Sequence, residues 1–166
     1  RDLNGVFGSC NRIHFAVAGD FEGNGRDDII IFYENVDSLQ NYILKLHNPE
    51  LTDTLNYGFE VDTLLQCDST FLDFSKIYYV LPGDFDGNGN DDIIIFNKTG
   101  GLIPNCNQKY YYNGSSWVFD TLHFYSNSNL NWANITKATT GDYDGDGKDD
   151  IAFSYNDDMD RLLLFE

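Results

Sequence analysis

The chain has 166 residues, 42% of them hydrophobic, enough to bury one core, which excludes a disordered chain. Acidic residues outnumber basic ones by 27 to 10, giving a formal charge of −17; no basic patch exists to neutralise phosphates, which excludes a nucleic-acid partner. No stretch approaches the length of a membrane span, so no membrane insertion is expected, and no signal peptide opens the chain, as for a mature or excised piece.

Residues 1–12 lead into a first predicted strand, Ile13 to Ala18. Gly19 to Phe32 follows, reading GDFEGNGRDDIIIF. Its hydrophobic end makes a second strand, Ile29 to Tyr33, rich in β-branched residues. Asn41 to Leu46 alternates and predicts a third strand; His47-Asn48-Pro49 turns the chain, and Phe59 to Leu65 predicts a fourth. A second unit repeats the plan. Lys76 to Leu81 predicts its first strand, ended by Pro82. Gly83 to Phe96, GDFDGNGNDDIIIF, supplies the loop and the strand Ile93 to Phe96. Asn97 to Asn107 reads as a long turn, Gln108 to Tyr112 and Ser116 to Phe124 as strands joined by the hairpin signal Asn113-Gly114. The third unit has a strand at Asn134 to Thr139, the copy GDYDGDGKDDIAF from Gly141 to Phe153, and strands at Ile151 to Tyr155 and Arg161 to Phe165.

The repeat reaches beyond the loops. The residue nine before each loop glycine is Cys10, Phe74 or Trp132, which predicts a packing position. Val61-Asp62-Thr63-Leu64 matches Phe119-Asp120-Thr121-Leu122, each 22 residues before the next loop glycine. Those glycines are 64 and then 58 residues apart, which puts the longer excursion of unit one within Glu34 to Tyr57. The expected organisation is all-β, one repeat domain over 1–166: unit one 1–64, unit two 65–122, and unit three 123–166, lacking its last strand. A unit of about 60 residues with four short strands is the size of a β-propeller blade, which must pack face to face with its neighbours.

Each copy carries oxygen-bearing side chains at loop positions 1, 3, 5 and 9, and a glycine at position 6 that permits a sharp turn. Hard oxygens at this density suit Ca²⁺. The spacing resembles the first nine positions of an EF-hand loop, but the final bidentate Glu is absent and strands, not helices, flank it. Three bound Ca²⁺ would add six positive charges and bring the net charge from −17 to −11, relieving repulsion between the crowded carboxylates.

These loops resemble the FG-GAP/VCBS repeats of calcium-binding β-propellers, found in integrin α-subunit heads and in many secreted bacterial and fungal proteins. The resemblance covers essentially the whole chain and implies blades of four antiparallel strands, about 2.75 here, belonging to a larger or oligomeric propeller. The family pattern D-x-[DN]-x-D-G-x-x-D implies up to three Ca²⁺ sites. The middle copy matches at Asp84, Asp86, Asn88, Gly89 and Asp92, with the carbonyl of Asn90; the third at Asp142, Asp144, Asp146, Gly147 and Asp150, with the carbonyl of Lys148. The first carries Asp20, Glu22, Asn24, Gly25 and Asp28, with the carbonyl of Arg26. Glu22 is one methylene too long for the pattern, so the first site is expected to be weakest. Asp27, Asp91 and Asp149 hold position 8, not usually a ligand in the family, and are expected to face solvent.

The resemblance further implies a secreted or cell-surface module. The calcium is expected to serve structure rather than to bridge a ligand carboxylate or sugar, and the function is expected to be binding or adhesion with a protein or glycan partner. The alternatives are a sugar-binding lectin and a purely structural accessory domain of a larger secreted protein or enzyme. Trp117, Trp132 and Tyr111 are the candidate contacts to sugar or protein, since a run such as Tyr110-Tyr111-Tyr112 must turn alternate rings to opposite faces. Completion by remaining blades of a parent protein or by further copies of the chain is expected, because an open stack exposes apolar sheet faces. Catalysis is not expected: His14, His47 and His123 do not cluster, no GxSxG or HExxH motif occurs, and cation coordination explains the paired carboxylates. Cys10, Cys67 and Cys106 form no CxxC pair; an oxidising compartment permits one disulfide, whose pairing the sequence leaves open. Three sequons begin at Asn97, Asn113 and Asn134.

Overall fold

The computed structural model describes residues 12–36, 38–47, 60–68, 71–97, 107–112, 117–122, 134–156 and 161–165. Eleven strands run through them in three antiparallel sheets. The first sheet is the meander β1 (Ile13–Gly19), β2 (Asp28–Asn35), β3 (Gln40–His47) and β4 (Glu60–Asp68). The second is β5 (Ile77–Gly83), β6 (Asp92–Asn97), β7 (Asn107–Tyr112) and β8 (Trp117–Leu122). The third orders β9 (Ile135–Gly141), β10 (Asp150–Tyr155) and β11 (Arg161–Phe165) with β10 in the middle. Backbone contacts divide the chain into two compact units: Arg1–Asp20 with Gly25–Ser75, and Phe21–Asn24 with Lys76–Glu166.

In the first unit, β2 is an inner strand buried on both faces, so its sequence is a continuous apolar run and not an alternation. Ile31 and Tyr33 join Leu44 and Leu46 of β3 on one face. Ile30 and Phe32 lie on the other face and are fully buried. Phe74, in the short 3₁₀ turn Phe74–Lys76, closes over Phe32 at a ring separation of 5.3 Å. This confirms a packing role for the position nine residues before a loop glycine; Cys10 and Trp132 lie outside the described residues. The fourth strand runs on to Asp68, beyond the expected Leu65.

The second unit packs the second and third sheets against each other. Ile94 and Phe96 of β6 meet Ile151, Phe153 and Tyr155 of β10, with Leu81 and Ile135 at the margins. Phe96 and Phe153 are essentially inaccessible and meet edge to face, centroids 5.2 Å apart. On its other face β10 carries Ala152 and an exposed Ser154, where β6 has Ile94 and Phe96 at the matching places.

Pro82 does not end a strand; it lies within β5 and is registered with Ile93. The ring is tolerated because β5 is an edge strand of its sheet, where a missing N–H breaks no ladder. Each sheet also repeats an irregularity the sequence does not announce. The pairing of the first two strands slips between Ile13 and Phe15, between Ile77 and Tyr79, and opposite Ser154 and Tyr155, each time just after the first strand begins. The longer excursion of the first sheet falls between β3 and β4, where residues 48–59 stand in place of 113–116. Both connections lie outside the described residues.

Candidate metal centres

Each acidic loop joins the first strand of a sheet to the second. The hydrophobic strands fix its two ends one ladder step apart: Gly19 pairs with Asp28, Gly83 with Asp92 and Gly141 with Asp150. The eight residues between must therefore reverse within a narrow space, and the chain does so with two left-handed glycines per loop. Position 6 has φ of 79°, 86° and 89° at Gly25, Gly89 and Gly147. Position 4 behaves alike, with φ of 65°, 72° and 81° at Gly23, Gly87 and Gly145. Position 4 is glycine in all three copies, and it needs the left-handed conformation as much as position 6 does.

The backbone amides of the turn point inward at the position-1 carboxylate. The N–H of Gly25 donates to Asp20 Oδ2 at 2.6 Å, that of Gly89 to Asp84 Oδ2 at 2.8 Å, and that of Gly147 to Asp142 Oδ2 at 3.1 Å. In the second loop the Asn88 N–H is shared between Asp84 Oδ1 (3.0 Å) and Asp86 Oδ1 (3.2 Å), while Asn88 Oδ1 accepts the Asn90 N–H at 2.8 Å. The third loop copies this: the Asp146 N–H reaches both Asp142 Oδ1 and Asp144 Oδ1, and Asp146 Oδ1 accepts the Lys148 N–H. Positions 1, 3 and 5 are thus wrapped into one cradle by local hydrogen bonds. In the first loop, Asn24 turns its amide nitrogen to Glu22 Oε2 at 3.1 Å.

The third loop brings three of its expected ligands together. One oxygen each of Asp142, Asp144 and Asp146 lies within 4.8 Å of the others, and all three residues are exposed. Oxygens on opposite sides of one Ca²⁺ are about 5 Å apart, twice the Ca–O distance of about 2.3–2.6 Å, so this trio fits a single ion. Asp150 stands outside the trio; it is 4% exposed and accepts the Tyr143 N–H at 3.1 Å. Asp28 and Asp92 hold the same place and are 4% and 1% exposed. Their Oδ2 atoms take no hydrogen bond, while each residue is otherwise engaged. Burying an ionised carboxylate costs several kcal/mol unless a positive charge or donors compensate, and a cation held in the cradle would do so.

The three position-8 residues differ. Asp27 is exposed as expected, but Asp91 and Asp149 are half-buried. Asp149 accepts the Asp84 N–H on Oδ2 at 2.9 Å and returns its own N–H to the Asp84 carbonyl at 2.8 Å. The solvent-facing reading is therefore corrected for Asp149. No spacing rule pointed to it, because its partner lies 65 residues away.

Of the candidate partner contacts, Tyr111 lies on β7 opposite Val118, and Trp117 on β8 opposite Tyr112. Trp132 lies outside the described residues. His14 Nε2 is 3.0 Å from Glu34 Oε2, and His47 Nε2 is 3.2 Å from Asp62 Oδ2; His123 lies outside the described residues. Cys67 is a half-buried free thiol, pushed up in pKa by burial first and by the charge of Asp68 second; Cys10 and Cys106 lie outside the described residues. None of the helices among the described residues is long and apolar enough to cross a membrane.

Residues 80–119 match the family model of the FG-GAP repeat, an interval running from β5 through the second loop, β6 and β7 into β8. FG-GAP repeats form β-propeller blades, typically bind calcium and occur mainly in extracellular proteins. No curated protein matches the chain.

Proposed function

We propose that this chain, which carries an FG-GAP repeat and is built of blade-like antiparallel sheets, is a calcium-stabilised extracellular binding module. The ions close the acidic loops and pin the strands they join, while the surrounding surface meets a protein or a glycan. The observation that supports this best is the third loop, where three carboxylates converge within single-ion distance on a cradle of backbone amides. The ions are structural in this reading: the loops join neighbouring strands, and the chemistry of the donors is that of hard oxygen ligands with no redox or nucleophilic group among them. Side chains would supply Asp84, Asp86, Asn88 and Asp92 to one ion, and Asp142, Asp144, Asp146 and Asp150 to another. Asp20, Glu22, Asn24 and Asp28 would serve a third and weaker one. Further sheets, from the rest of a longer protein or from other copies, complete the propeller in this reading. The chain itself does no catalysis.

Urea unfolding in calcium and in chelator tests the proposal. A ligand at 100 times its Kd adds about 2.7 kcal/mol per site, so a calcium-loaded chain should unfold at a clearly higher urea concentration. Equal midpoints in the two conditions would refute the calcium reading. A glycan array probed in calcium separates the partners: reproducible hits assign a sugar, and a blank array removes the glycan.

A further inference from the structure

The second and third acidic loops lie in the same unit and touch along one seam. Asp149 sits in the third loop between Lys148 and Asp150; Asp84 is position 1 of the second loop. Asp149 holds both backbone polar groups of Asp84, the N–H through its carboxylate at 2.9 Å and the carbonyl through its own N–H at 2.8 Å. The approach is close enough that a Cβ on Gly83 would lie 2.7 Å from Asp149 Oδ2 and 3.1 Å from its Cβ. Further along the seam, a Cβ on Gly87 would lie 3.3 Å from the Gly147 carbonyl oxygen and 3.2 Å from Lys148 Cγ. The ends of β9 and β5 are tied as well, by a 2.7 Å hydrogen bond from Thr140 Oγ1 to the Pro82 carbonyl.

Two cation loops are thus joined between Asp84, which would bind one ion, and Asp149, which stands between two groups that would bind the other. Asp146, the Lys148 carbonyl and Asp150 would help hold a cation in the third loop, and holding it would fix the backbone on either side of Asp149. Once fixed, Asp149 holds the Asp84 backbone in the pose from which its carboxylate enters the second cradle. Ordering that the first ion has already imposed need not be imposed again by the second. We propose that Asp149 is a positioning residue which couples the two loops, so that Ca²⁺ in either raises the affinity of the other. The inference rests on the calcium reading above. It assigns Asp149 no ligand role.

The test is a calcium titration of the ¹⁵N-labelled full chain, with the Gly89 and Gly147 amides as separate reporters of the second and third loops. Asp146→Ala, which disables the third loop, should shift the Gly89 midpoint to higher calcium, on the order of tenfold. In an Asp149→Ala background the same change should shift it by less than about twofold. Asp149→Asn, which loses the charge but keeps an acceptor oxygen, should retain most of the coupling. A Gly89 midpoint that titrates normally but ignores Asp146→Ala would overturn the coupling while leaving calcium binding intact. A shift that survives Asp149→Ala would overturn the role of Asp149. If calcium moves neither glycine in the unaltered chain, the calcium reading falls and takes the coupling with it. Should Asp149→Ala fail to fold, Asp86→Ala carries the test: calcium at the third loop should slow hydrogen exchange of the Asp84 amide across the intact Asp149, and unchanged exchange would overturn the proposal.

Discussion

Alanine at Gly87 and at Gly89 separates two reasons for glycine in the same loop. Both residues are left-handed, with φ of 72° and 86°, but a Cβ on Gly89 meets nothing within 4 Å. Gly89→Ala should therefore bear only the backbone penalty of about 1–2 kcal/mol. Stiffening of the unfolded chain returns about 0.4–1 kcal/mol, which leaves a net loss near 1 kcal/mol. At Gly87 the new methyl also lies 3.2 Å from Lys148 Cγ and 3.3 Å from the Gly147 carbonyl oxygen. The lysine methylene can swing aside; the carbonyl belongs to a turn and cannot move cheaply. Overpacking adds about 1–3 kcal/mol, so Gly87→Ala should lose roughly 2–4 kcal/mol. The assay is urea unfolding in chelator, where lost ligand affinity does not contribute, reading midpoints at constant slope. Gly147→Ala, at φ 89° and with open space around it, is the matched control and should behave like Gly89→Ala. A Gly87→Ala chain no less stable than these two would refute the nesting of the loops.

Other outcomes follow from single residues. Leu39 is a left-handed non-glycine residue, φ 54°, and its side chain is 78% exposed. Leu39→Gly should relieve the backbone at almost no loss of packing and raise stability by about 0.5–1 kcal/mol, net of the greater freedom glycine has when unfolded; a lower melting temperature would contradict this. The Cys67 thiol is raised above its ordinary 9.0 by burial and then by Asp68, so the unfolded chain loses this proton first as pH rises. Its contribution to stability is complete below about pH 9 and is lost as pH climbs through the folded value. The gap in unfolding free energy between the unaltered chain and Cys67→Ala should shift against the thiol above that pH, and a gap independent of pH from 8 to 10.5 would refute the assignment.

Much of the fold was legible because its signals are local. The runs Ile30–Phe32 and Ile93–Phe96 are apolar without alternation, as inner strands covered on both faces must be, and the acidic loops ahead of them mark the turns. The cradle at positions 1, 3 and 5 was legible for the same reason, since its hydrogen bonds span only two to five residues. What was missed depends on distant partners. Pro82 looked like a stop because its own sequence does not say that β5 is an edge. Asp149 looked like a solvent-facing acid because its partner is in another loop. Lys45 sits in an alternating strand as though solvent-facing, yet it is 5% exposed, with its ammonium 3.8 Å from Asp62 Oδ2 across the β3–β4 pair.

The glycine turns also bear on how the loops age. Asn24-Gly25 and Asn88-Gly89 are Asn-Gly pairs, the dipeptide whose side-chain amide is lost most readily through a five-membered succinimide. Ring closure requires the glycine nitrogen to give up its proton and attack the asparagine Cγ. Here that proton is occupied: the Gly25 N–H is held by Asp20 Oδ2 and the Gly89 N–H by Asp84 Oδ2. The carboxylate that organises each cradle thereby also shields the peptide next to it from self-inflicted deamidation. A loop that loses its first aspartate loses that protection along with its shape.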